Sequence, residues 1–120
     1  MTTLLTAAAM TMGTAAMAHG PAKAQHGGIV QSAHDLSFEL VSRPEGVIIY
    51  VDDHGKAKPT AGATGKLTVL HGKDKSETEL TPSAENALEA KGVKIVKGDK
   101  LVATVTFADK ETATMRFKAP

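Results

Sequence analysis

From residue 29 onward the apolar and polar positions alternate in short runs. Leu36, Phe38 and Leu40 share one face of residues 35–42. Val47, Ile49 and Val51 share one face of residues 46–52, and Leu101, Ala103, Val105 and Phe107 one face of residues 100–108. A period of two is that of a strand with one face buried. Further strands are predicted at residues 28–32, 66–71, 77–80, 93–96 and 112–118, separated by turns rich in glycine, proline and charge. Residues 52–65, DDHGKAKPTAGATG, read as a loop. Residues 81–92, TPSAENALEAKG, are the one place where a helical turn is expected, with Ser83 capping residues 84–90 and Gly92 ending it. A set of about seven or eight short strands predicts an all-β fold, either an antiparallel β-sandwich or a small β-barrel.

Ahead of this pattern the periodicity vanishes. Residues 4–18 form an uncharged run rich in Ala and Met that ends in Ala16-Met17-Ala18, which fits the small-x-small rule of signal peptidase. Residues 1–18 are therefore expected to be a secretory signal, with no membrane span in the mature form. No Lys or Arg precedes the run, so the start codon is expected upstream of Met1. Residues 19–28 are Gly, Pro, Ala, Lys, Gln and His and read as a flexible arm, with order beginning near Ile29 and one β-domain filling residues 29–120. Cleavage after Ala18 makes His19 the first residue, whereas cleavage after Ala24 leaves Gln25 first and His26 as the arm's only imidazole.

Composition removes several functions. The chain has 14 Lys and Arg against 13 Asp and Glu, one Tyr and three Phe, and so neither the basic field nor the stacking platform of a nucleic-acid binder. It has no Cys, so any metal ligand must be His, carboxylate, Met or backbone. No nucleophile elbow, phosphate-cradling loop or H-E-x-x-H is present, and a non-enzymatic role is expected. The remaining enrichment is histidine, at positions 19, 26, 34, 54 and 71. Imidazole is a preferred neutral ligand of copper and zinc, and a neighbouring carboxylate can complete a shell. The candidate ligands are His19 and His26 in the arm, with His34-Asp35 and Asp53-His54. The second of these pairs reads equally as a type I turn serving backbone geometry. His71 reads as a surface or half-buried histidine.

One resemblance adds to this reading. His26-Gly27-Gly28, Glu39 followed by Leu40-Val41, Tyr50-Val51-x-Asp53, Gly62-Ala63-x-Gly65 and Leu80-x-Pro82 are spread over residues 25–117. Together they resemble a small periplasmic β-domain family, similar to the segment that precedes the core of heavy-metal efflux (RND-type) periplasmic adaptor proteins. The resemblance implies a periplasmic, non-enzymatic protein of transition-metal handling, with an efflux adaptor or another envelope protein as partner. It supplies no ligand set. The chain lacks the coiled-coil and lipoyl parts through which an adaptor meets its pump. The expected function is thus a periplasmic accessory protein that binds a divalent transition metal, copper before zinc. The alternative is a β-sandwich interaction module of the cell envelope that binds no metal and docks by an exposed strand.

Overall fold

The computed structural model describes residues 23–120; the expected signal and His19 lie outside the described residues. The described chain is all-β. Its strands are β1 (Ile29–Ala33), β2 (Leu36–Arg43), β3 (Gly46–Asp53), β4 (Lys56–Ala57), β5 (Thr64–His71), β6 (Asp74–Ala84), β7 (Ala87–Lys91), β8 (Lys100–Thr106) and β9 (Thr112–Lys118). All pair antiparallel in the order β1-β2-β3-β7-β6-β5-β8-β9, with the short β4 added to β3. The outer strands β1 and β9 lie against each other, so the sheet is a nearly closed barrel.

The inward positions are those of the alternating pattern. Phe38, Val47, Ile49, Val51, Leu67, Leu80, Leu88, Leu101, Ala103 and Val105 are fully buried, and Phe107, Met115 and Phe117 nearly so. β6 is the long corner strand: its first half pairs with β5 and its second half with β7, with a bulge between Pro82 and Ala84. Two connections cross the barrel's ends. The segment between β4 and β5 is pinned by Thr60, whose fully buried hydroxyl lies 3.0 Å from the carbonyls of both Ala84 and Ala87. The segment between β7 and β8 is held by Val93 and Ile95 against the core and by Asp99, which accepts the Val96 N–H at 3.0 Å.

Three sequence expectations are corrected. Residues 84–90 form no helix: Glu85 and Asn86 turn a hairpin between β6 and β7, and Ala87, Leu88 and Ala90 are buried in register with β3. Burial against β3 overrides the helix preference of Ala, Glu and Leu. Residues 93–96 are not a strand but the irregular crossing segment, because no neighbouring strand pairs with them. The arm is docked before Ile29, since Gln25, His26 and Gly28 are already hydrogen-bonded to β2.

Candidate functional site

Because Leu36, Phe38 and Leu40 face the core, the pleat turns Ser37, Glu39 and Val41 outward. Glu39 and Val41 are nonetheless buried, at 6 % and 8 % exposure. The cover is residues 25–28, folded back across the outer wall. Glu39 accepts the backbone N–H groups of Gln25 at 3.0 Å, His26 at 2.8 Å and Gly28 at 2.8 Å, and its Oε1 lies 2.9 Å from Nδ1 of His26. The His26 ring is stacked on Tyr50, with centroids 3.7 Å apart and planes within 3°. Tyr50 stands directly opposite Glu39 in the β2–β3 register. Gly28 permits this approach: a Cβ there would run into the carbonyl oxygen of Leu40.

Burial pushes the Glu39 carboxyl upward. The His26 ring and the N–H groups of Gly28, His26 and Gln25 outweigh that burial and hold the group below its ordinary 4.5. It is therefore an anion at neutral pH, surrounded by nitrogen. Beside it lies a hollow of about 30 Å³ lined in part by His26, Tyr50, Asp52 and Asn86, which has room for little more than an ion with its water.

The other candidate ligands sit elsewhere. His34 and Asp35 are the whole β1–β2 turn, both left-handed at φ of 50° and 62°. His54 and Gly55 form the β3–β4 turn in the same manner, at 51° and 88°. Both are two-residue hairpins of the mirror-image I′ type, which corrects the type I reading at His54. The β2–β3 register brings the two turns to one rim of the barrel, away from His26 on the wall. There Nδ1 of His54 is 2.6 Å from Oδ1 of Asp53, with both side chains exposed. Among the described residues no three His, Asp or Glu side chains are grouped to hold a metal ion.

Sequence reasoning passed over Glu39 and Tyr50 as site residues, although both belong to the quoted family pattern. Their signal is an acidic and an aromatic residue at outward positions of neighbouring strands. It also passed over Asp99, buried at 4 % exposure, whose Oδ1 lies 2.6 Å from Nδ1 of the exposed His71. The N–H of Val96 and the His71 ring hold Asp99 below its usual range. The hydrogen bond to Asp99 and its charge raise His71. Comparison with protein-family models, with curated proteins and with solved structures gives no match.

Proposed function

We propose that the protein is a periplasmic accessory protein that binds a divalent transition metal, copper before zinc, at the His26–Glu39 site on the barrel wall. The observation that carries this reading is the pairing of an oriented imidazole with a buried, ionised carboxylate on a nitrogen-rich segment. An imidazole nitrogen and a carboxylate oxygen held 2.9 Å apart can serve one ion as neighbouring donors. A mixed nitrogen and oxygen donor set suits copper(II). The link to heavy-metal efflux rests on the resemblance, three of whose elements, His26-Gly27-Gly28, Glu39 and Tyr50, meet at this site.

The test is calorimetric titration of the exported protein with Cu(II) and Zn(II) at neutral pH. Copper is expected to bind with Kd below about 100 μM and more tightly than zinc. His26→Ala is expected to weaken copper binding at least about tenfold. Weaker binding in the parent protein, or binding indifferent to His26→Ala, overturns the reading.

A second reading, an envelope interaction module without metal, is favoured by one observation. Val96 is the exposed large hydrophobic residue of the described chain, and it stands with Lys94 beside Arg43 and Pro44. On this reading Val96→Asp abolishes capture of an envelope partner, and the parent protein binds copper no more tightly than about 100 μM.

A further inference from the structure

The side chains near His26 are too few for a metal site, and the backbone supplies what they lack. The nitrogen of Gln25, the nitrogen of His26 and Nδ1 of His26 all lie within 3.0 Å of the one Glu39 carboxylate. Two consecutive backbone nitrogens and the ring of the second residue therefore already face the same way. In the uncut chain the first two are amides, and an amide is a poor ligand until something anchors the ion beside it. A free α-amine at Gln25 is such an anchor.

We propose that the mature chain begins at Gln25 and that its terminal amine, the His26 amide nitrogen and His26 Nδ1 chelate one Cu(II), with a Glu39 oxygen as the fourth donor. This rests on the metal reading above and assigns its atoms. Ala22-Lys23-Ala24 satisfies the small-x-small rule as well as Ala16-Met17-Ala18 does, and the hydrogen bonds that hold the arm to Glu39 begin at Gln25. Cleavage after Ala24 places the new ammonium group 3.0 Å from the Glu39 carboxylate, so the metal-free form gains a charge-assisted contact in place of an amide hydrogen bond. Tyr50 beneath the ring and Gly28 against Leu40 keep the segment from swinging away.

Binding then has a defined proton balance. The ammonium and the His26 amide each lose a proton to solvent, and the imidazole moves its proton from Nδ1 to Nε2. The two charges of copper are met by the deprotonated amide and Glu39, leaving a neutral site in a half-buried place. Copper(II) favours the tetragonal nitrogen and oxygen set that this chelate presents, and zinc does not.

The experiment compares three folded proteins: the chain beginning at a free Gln25, the same chain acetylated at Gln25, and the chain beginning at His19. Each is titrated with Cu(II) in two buffers of different ionisation enthalpy, and the protein exported by its host is weighed intact. The free-Gln25 chain is expected to bind at least about a hundredfold more tightly than the acetylated one and to release about two protons per ion. Equal affinity of the free and acetylated forms, with His26→Ala still abolishing binding, overturns the chelate and leaves the metal reading standing. An exported chain that begins at His19 or carries a cyclised Gln25 also overturns it. Failure of every form to bind copper overturns both.

Discussion

On the barrel wall Nδ1 of His26 meets Glu39 at 2.9 Å; at the end of β5, Nδ1 of His71 meets Asp99 at 2.6 Å. The shorter contact is the weaker anchor. The His26 ring is 35 % exposed and lies flat on Tyr50, and its carboxylate also takes three backbone N–H groups. The His71 ring is 65 % exposed, and among the described residues its carboxylate takes one backbone N–H, that of Val96. An exposed ion pair is screened by water and salt and contributes little, whereas N–H groups aimed at a buried carboxylate lose water on both sides. Both carboxylates are buried; the exposure of the ring and the number of converging donors separate the two contacts, and distance does not. The wall contact holds a chain segment in place, and the end contact trims one loop.

Removing each carboxylate puts the largest strain on this comparison. Glu39→Ala leaves three N–H groups and a ring without their common acceptor and is expected to cost about 3 kcal/mol in chemical denaturation. Asp99→Ala is expected to cost clearly less. Equal losses would show that the arm contributes no more than the loop. Gly28→Ala tests the same arm through the backbone: the Cβ meets the Leu40 carbonyl, and a loss of about 2 kcal/mol is expected. It should come with an exchange-labile amide at His26, while those of β8 and β9 stay protected. Full arm protection in that variant would show that the close approach is dispensable.

Acid separates the regions next. Glu39 is depressed from 4.5 in the folded state, so its contribution is complete above about 4.5 and is lost as the pH falls through the lower folded value. Asp99, depressed from 3.8 by the Val96 N–H and by His71, loses its contribution in the same direction but lower down. Denaturation midpoints are expected to fall from about pH 4.5 downward, first through Glu39. Glu39→Gln is expected to flatten the upper part of that slope, and Asp99→Asn only the lower. An unchanged slope in Glu39→Gln would remove the wall carboxylate from the account.

The strands were legible because a half-buried strand must alternate. Leu36-Phe38-Leu40 and Leu101-Ala103-Val105 leave no other period. Residues 84–90 were misread because Ser83, the alanines and Glu89 are good helix residues in isolation, and nothing local shows that Ala87, Leu88 and Ala90 will be buried beside β3. The site was half legible. His26 stood out by type, but its partner lies 13 residues away, and the polar arm carries no periodicity to show that it folds back over β2. His34 and His54 looked like ligands for the reason that makes them turns: imidazole tolerates a left-handed backbone, and such turns collect it together with Asp.

The smallest expected effect concerns His71. Its hydrogen bond to Asp99, the Asp99 charge and, more weakly, Asp74 raise it above 6.5. A raised folded value gives a contribution that is complete below about 6.5 and disappears as the pH rises through the folded value, opposite in sense to the carboxylates. The loop between β7 and β8 is therefore expected to loosen on the alkaline side, seen as faster amide exchange at Val96. His26 and Gly28 should keep their protection after allowance for the intrinsic rise in exchange, since Glu39 stays ionised there. NMR titration of the His71 ring is expected to give a midpoint above 6.5 that falls in Asp99→Asn, and falls less in Asp74→Asn. A midpoint indifferent to Asp99→Asn would mean that the 2.6 Å contact does not persist in solution, and the contrast between wall and end would then be one of presence and absence.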